Sequence, residues 1–128
     1  MRRLFPIAVL LLAASASLPA ARAEAPGFIV FFGSWSALID QPARDTIKAA
    51  AAAASAGKGQ VRVTGYASTV GSTESNKLLS QLRAQVVTDE LVADGVDAKR
   101  ITQMAVGPTS FVADPQEARR VKIDVARD

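Results

Sequence analysis

The residues with the clearest chemical potential lie in a polar loop and in the helical segment that follows it. The loop, residues 65–71, begins and ends with glycine and contains the hydroxyl of Ser68. Asn76 and Arg83 follow, and Arg83 comes 11 residues after Ser72, a candidate helix cap. Eleven residues are about three turns at roughly 3.6 residues per turn, so Arg83 is predicted to lie on the helix face that meets the loop. The planar fork of an arginine binds carboxylates, but surface helical arginines are common, so the residue taken by itself favours a solvated side chain.

Other polar and aromatic residues have a structural interpretation beside a binding one. Ser68, in a glycine-bounded loop, is typical of a turn residue. Asn76 is either a ligand group or a side chain that hydrogen-bonds the preceding loop. Trp35 either offers a ring on which a sugar stacks or covers the edge of the core, and the second interpretation is favoured. Of Arg119 and Arg120, one is expected to face solvent and the other to brace the loop above it.

The composition excludes most catalytic chemistry. The chain has no cysteine and no histidine, which removes disulfides, thiol nucleophiles, Cys/His zinc sites and imidazole catalysis. Ser55 and Lys58 match S-x-x-K by letters only, because the other elements of that motif are missing. The glycines around Lys58 do not form a phosphate loop, and no pair of carboxylates is placed in one cleft. We therefore expect no enzyme activity, no cofactor and no metal site.

The first 23 residues have the features of a secretory signal peptide. These features are a positive start, a short apolar run and an A-x-A site, at Arg2-Arg3, Leu4–Leu12 and Ala21-Arg22-Ala23. The alternative, an uncleaved anchor, is disfavoured because a membrane span needs about 20 apolar residues. Cleavage would remove three arginines and no acid, leaving 12 basic and 12 acidic residues in an exported domain at 24–128. A net charge of zero gives no reason to expect binding to nucleic acid or to an anionic membrane, and no cysteine is present to carry a lipid.

The mature region is predicted to begin with a strand and a helix. The apolar run Phe28–Phe32, rich in strand formers, predicts a strand buried on both faces or nearly so. Asp40 is a candidate helix cap with Pro42 in the first turn, and Gly57 is a candidate stop. The residues expected to face the core recur at helical spacing: Ala43, Ile47, Ala50 and Ala54.

The rest of the chain is predicted to contain three strands and a second helix. Val61–Thr64 alternates apolar and polar residues, as a half-buried strand does. A helix capped by Ser72 runs to about Ala93, and Gly95 ends it. Its apolar stripe is predicted to comprise Leu79, Leu82, Val86 and Val87, with Leu91 nearby. With strands at Ile101–Val106 and Val121–Val125, the order β-α-β-α-β-β predicts an α/β (α+β) two-layer sandwich, with two helices on one face of a small mixed four-stranded sheet.

Several segments of the mature region form one recognisable pattern. They are Phe31-Phe32, the run Gly65–Ser72, Asn76, Leu79-Ser80, Arg83-Ala84, Val87, Gly95–Ile101 and Arg119-Arg120-Val121. Together they resemble the OmpA/MotB-like C-terminal domain family. The resemblance implies an exported periplasmic domain that holds peptidoglycan non-covalently by gripping the diaminopimelate of the stem peptide. In the family an arginine, matching Arg83, binds the carboxylate of diaminopimelate, and an aspartate from the loop binds its ammonium. The resemblance implies a binding set of Ser68, Thr69, Asn76, Arg83 and Arg120.

The family's ligand motif is degenerate in this chain. Ser68 stands where the family has its aspartate, and Gly33-Ser34-Trp35 stands where an acidic or amide residue usually follows the first strand. Ala118 replaces an asparagine that usually precedes the two arginines. We therefore expect weak binding to peptidoglycan. The alternative is a scaffold that binds a protein partner in a cell-envelope complex. A carboxylate supplied from elsewhere, such as Glu74, would favour wall binding, and an apolar or blocked pocket would favour a protein partner.

Overall fold

The computed structural model describes residues 27–108 and 118–126, and the predicted signal peptide lies outside the described residues. The elements are β1 (Gly27–Phe31), α1 (Gln41–Ser55), β2 (Val61–Ala67), α2 (Thr73–Ala93), β3 (Ile101–Pro108) and β4 (Arg120–Val125), with a short 3₁₀ turn at Ala98–Arg100. In these residues the strands form one sheet in the order β1-β4-β2-β3. β2 and β3 are parallel, whereas β4 is antiparallel to both β1 and β2. The predicted order and mixed two-layer architecture are confirmed.

The core lies between the two helices and one face of the sheet. Its buried members on the strands and the helices include Val30, Val61, Val63, Val121, Ile123, Ile47, Val87 and Leu91. Both predicted caps form, since the side chain of Asp40 accepts from Ala43 N at 2.9 Å and that of Ser72 accepts from Ser75 N at 2.9 Å. Within the described residues, neither helix combines the length and apolar character that a membrane crossing requires.

The first helix buries an alanine-rich face, as its spacing predicts. Ala43, Ile47, Ala50 and Ala54 are all buried. Small side chains there let the helix approach the sheet closely, which is why an unbroken alanine run is helix here and not linker. The helix ends at Ser55 with Ala56 as its cap residue, so Gly57 lies just beyond the end.

The prediction that β1 is buried on both faces is wrong. Val30 is buried, but Phe31 and its outward neighbour Ile29 are each 43% exposed. Within the part of the chain that the structure describes, β1 is an edge strand that pairs only with β4, and the helices cover one face of the sheet. Alternate residues of the strand therefore point away from the helices.

The predicted apolar stripe of α2 is wrong at Leu82, which is 52% exposed. The face that meets the sheet instead carries Asn76, Ser80, Arg83, Ala84, Val87 and Leu91. The cause is the close approach of α2 to Gly65 in β2, where an added Cβ would lie 2.2 Å from the carbonyl oxygen of Ser80. Only small residues, Ser80 and Ala84, fit at that approach, so Leu78 and Leu82 point to solvent. The polar residues on the same face, Asn76 and Arg83, are thereby brought against the loop that follows β2.

Candidate functional site

A pocket of about 200 Å³ lies where the turn after β1, the loop between β2 and α2, and the start of β4 meet. Its lining residues are Ser34, Trp35, Ser68, Val70, Asn76, Leu79, Arg83 and Arg119. The fold thus brings together three of the five predicted binding residues, namely Ser68, Asn76 and Arg83. The expectation that Arg83 faces the same pocket as the loop is confirmed.

Arg83 is a buried cation that holds three backbone carbonyls. It is 1% exposed, and its Nε donates to the carbonyl of Ser36 at 2.8 Å. Its Nη1 donates to the carbonyl of Tyr66 at 3.1 Å and its Nη2 to that of Gly33 at 3.0 Å. The guanidinium also lies 5.4 Å from the ring centroid of Phe32. A guanidinium has five N–H donors, so these three bonds leave two of them without a backbone partner.

The pocket has a positive electrostatic character. Burial and the neighbouring charge of Arg119 lower the pKa of Arg83 to about 10, so the side chain stays cationic at neutral pH. Arg119 Nε donates to the carbonyl of Phe32 at 3.2 Å. Among the described residues, no carboxylate lies within 4.0 Å of either arginine. A desolvated charge without a counterion is costly, so the site favours an anionic group.

Ser68 and Asn76 give the loop its shape. The hydroxyl oxygen of Ser68 accepts a hydrogen bond from the N–H of Val70 at 3.0 Å. This bond closes a turn through the serine side chain. The Nδ2 of Asn76 donates to the carbonyl of Val70 at 2.7 Å and to that of Ser72 at 3.0 Å. Both amide hydrogens of Asn76 are therefore used by the loop, in agreement with its structural interpretation. Among the described residues, no hydrogen bond uses the Oδ1 of Asn76 or the hydroxyl proton of Ser68.

The other predicted site residues lie away from the pocket. Thr69 is exposed and does not line it. Arg120 lies over the ring of Tyr66, with its Cζ 4.1 Å from the centroid. Because Val121 points to the helices, the preceding residue points to the other face of the sheet, and the pocket receives Arg119 instead. Glu74 is exposed in the first turn of α2 and is not a lining residue, so it supplies no carboxylate to the site.

Trp35 is the residue whose role the sequence least revealed. It is 58% exposed, so the interpretation that it covers the edge of the core is wrong. Its φ of +52° lies in the left-handed region, which non-glycine residues adopt rarely and at a cost. The indole rests on Gly71, where an added Cβ would lie 2.8 Å from the ring atom Cη2. The one available sequence signal was the departure from the family pattern after the first strand.

Trp35→Gly is expected to be more stable than Trp35→Ala by about 1 kcal/mol. Both variants remove the indole and differ only in the Cβ carried at a positive φ. In ordinary backbone the order is reversed, because glycine gains more conformational entropy on unfolding. Urea denaturation followed by far-UV circular dichroism measures the difference. An alanine variant at least as stable as the glycine variant would contradict the left-handed conformation.

Comparison with known proteins identifies a family. Residues 31–123 match the model of the OmpA family. The chain is 37% identical over 75 residues to Probable lipoprotein YiaD of Escherichia coli, covering 54% of this chain and 34% of that protein. The chain spans about a third or less of the length of the curated relatives it matches.

Solved structures are also similar to this chain. The cell wall anchor of the T6SS from Pseudomonas aeruginosa is 34% identical with a TM-score of 0.62, covering 76% of this chain and 75% of that one. The peptidoglycan-associated lipoprotein from Burkholderia pseudomallei is 19% identical with a TM-score of 0.69, covering 76% and 88%, and shows the fold alone. These names describe lipoproteins and a cell wall anchor, and none describes an enzyme.

Proposed function

This chain belongs to the OmpA family, and we propose that it associates non-covalently with peptidoglycan through the diaminopimelate end of the stem peptide. The observation that carries the proposal is that Arg83, Arg119 and Ser68 line one pocket. The similarity to a cell wall anchor at 34% identity supports a role at the wall. The protein acts as a binding module and not as an enzyme. Its place is the periplasm, to which residues 1–23 would direct it.

The charges of the pocket determine how it would bind diaminopimelate. The free end of diaminopimelate carries a carboxylate and an ammonium on one carbon. Arg83 offers two N–H groups that its backbone partners do not use, and Arg119 adds a second positive charge. Hydrogen bonds between a guanidinium and a carboxylate are among the strong ones in proteins, so the carboxylate is the group held best. The neutral hydroxyl of Ser68 contributes only a hydrogen bond where the family has a charge.

A pulldown on isolated sacculi of the diaminopimelate type tests the proposal. The purified protein is expected to sediment with sacculi and to be displaced by the free stem tripeptide L-alanyl-γ-D-glutamyl-meso-diaminopimelate. Sacculi whose stem peptide has lysine in place of diaminopimelate serve as the control, since they lack the second carboxylate. Folded protein that stays in the supernatant with both preparations would refute wall binding.

Ser68→Asp is expected to raise the affinity for this tripeptide about tenfold, a gain of about 1.4 kcal/mol. The added carboxylate pairs with the ligand's ammonium, and its oxygen still accepts the hydrogen bond from Val70 N that orders the loop. Isothermal titration calorimetry measures the change.

Ser68→Asn is the matched control, because it keeps a side-chain acceptor without adding charge. It is expected to bind as the wild type does. An unchanged affinity for folded Ser68→Asp would mean that the site serves another ligand.

A protein partner is the second candidate function. The observation that favours it is the apolar character of Trp35, Val70 and Leu79 in the pocket wall, together with the lack of a carboxylate among the described lining residues. Such a pocket accepts an anionic, partly apolar side chain of another protein. Failure of the sacculus pulldown, with specific crosslinking from position 35 to an envelope protein in cells, would support this function over wall binding.

A further inference from the structure

We infer that Trp35 receives the ligand's ammonium group through a cation–π interaction, in place of the carboxylate that Ser68 lacks. The inference rests on the proposed function, because it concerns the second charge of the same diaminopimelate group. It makes Trp35 the specificity-determining residue of the pocket. Tryptophan has the aromatic ring that attracts cations most strongly, so it is a chemically suited replacement.

The position of the indole supports this role. Trp35 and Ser68 line the same pocket, although 33 residues separate them in the chain. The six-membered part of the indole rests on Gly71, which belongs to the same loop as Ser68. Gly71 has a φ of +89°, and any side chain there would collide with the ring. The ring therefore packs against the loop that carries Ser68, the position at which the family has its aspartate.

The backbone holds Trp35 in place at an energetic cost. Its turn is closed by the N–H of Ser36, which donates to the carbonyl of Gly33 at 3.2 Å. The carbonyls of Gly33 and Ser36 both accept from the guanidinium of Arg83. A left-handed tryptophan persists only where its surroundings over-determine it, and such strain concentrates at ligand sites. The arginine that takes the carboxylate thus also fixes the ring, which sets the spacing between the two halves of a zwitterion site.

The ring is available to a cation from the ligand. Two aromatic rings of the described residues already have an arginine guanidinium over them. These pairs are Phe32 with Arg83 and Tyr66 with Arg120. In residues 27–108 and 118–126, no cation of the protein lies over Trp35. Trp35 is 58% exposed, and it is one of the residues that line the pocket. Sugar stacking or simple apolar contact would use the same ring, and sensitivity to the ligand's ammonium separates these roles from the inferred one.

The test compares two ligands that differ only in the ammonium. One is the stem tripeptide with meso-diaminopimelate, and the other carries 2-aminopimelate at that position, which keeps the distal carboxylate. The wild type is expected to prefer the first by about two- to thirty-fold. Trp35→Leu is expected to abolish the preference, and Trp35→Phe to keep part of it. Because Trp35 is the one tryptophan of the chain, quenching of its fluorescence follows binding in the wild type, with calorimetry for the variants.

Two further variants sharpen the test. Phe31→Leu makes the same kind of substitution at an exposed ring outside the pocket, and it is expected to leave both affinities unchanged. Ser68→Asp in the Trp35→Leu background is expected to restore the preference, because the carboxylate then takes over the ammonium.

The possible failures are distinguishable. If the wild type binds neither tripeptide, the proposed function fails and the inference falls with it. If the wild type binds both ligands equally, or if folded Trp35→Leu keeps the wild-type preference, wall binding stands and the inference is overturned. A wild-type preference for the ligand without the ammonium would also overturn it, since the pocket would then act on anions alone.

Discussion

Arg83→Met is expected to lower the free energy of unfolding by about 3–5 kcal/mol. The substitution removes the donors to the carbonyls of Gly33, Ser36 and Tyr66 and replaces them with an apolar chain of similar length. A hydrogen bond to a charged donor contributes about 1.5–3 kcal/mol, and the three bonds share one donor group, so their losses do not simply add. For a domain of this size the loss is a large part of the total stability, which is about 5–15 kcal/mol.

Urea denaturation measures this loss, with two reference variants. Arg83→Lys keeps the charge but offers one ammonium to three carbonyls, so an intermediate loss is expected. Arg44 is a half-exposed arginine of α1 whose Nε lies 3.9 Å from a carboxylate oxygen of Glu90, and Arg44→Met is expected to change stability by about 0.5 kcal/mol or less. A loss below about 1 kcal/mol for Arg83→Met would mean that water replaces the guanidinium at the carbonyls without penalty.

The structural role of Arg83 determines how the binding site has to be tested. A variant of Arg83 that fails to bind peptidoglycan does not identify a ligand contact, because the same side chain organises the turn that carries Trp35 and the end of β2. Ser68 and Trp35 are more exposed, and substitutions there leave the three carbonyl bonds in place. The informative variants are therefore those that change one charge or one ring at the pocket and leave Arg83 intact.

The sequence predicted the fold where local chemistry decides the structure. Asp40 and Ser72 cap the helices because their side chains reach an N–H three residues on, a pattern visible in the letters alone. The face of α2 was not predictable in that way. Its orientation depends on how closely Gly65 lets the helix approach, and Leu82 is displaced to solvent as a result. That approach involves residues distant in sequence, which helical periodicity does not report.

Part of the site was also predictable from local patterns in the sequence. Three helical turns place Arg83 against the Ser68 loop, and the structure has them at one pocket. The predicted binding set named Arg120, whereas Arg119 lines the pocket, because a buried Val121 sends Arg120 to the other face of the sheet. Trp35 was not predictable, because its left-handed backbone is imposed by carbonyl contacts to an arginine 48 residues away.

Gly65→Ala is expected to destabilise the protein by about 3 kcal/mol or more. The new Cβ would lie 2.2 Å from the carbonyl oxygen of Ser80 and 3.0 Å from the Cβ of Ala84. The nearer atom belongs to the backbone, so a change of rotamer does not relieve the collision and α2 must move away from β2. Close-packed protein interiors deform little, so α2 moves as a unit. Arg83 lies on α2 and is therefore withdrawn from the pocket with it.

Two variants show whether the backbone collision is the cause. Gly27→Ala adds the same methyl group at a site whose nearest neighbour would be 3.6 Å away, and it is expected to be neutral or stabilising by about 0.4–1 kcal/mol. Ala84→Gly removes only the side-chain part of the clash, so it is expected not to rescue Gly65→Ala in the double variant. Far-UV circular dichroism in urea gives the stabilities, and fluorescence of Trp35 reports the pocket. Rescue by Ala84→Gly would show that side-chain crowding, and not the carbonyl of Ser80, sets the distance between α2 and the sheet.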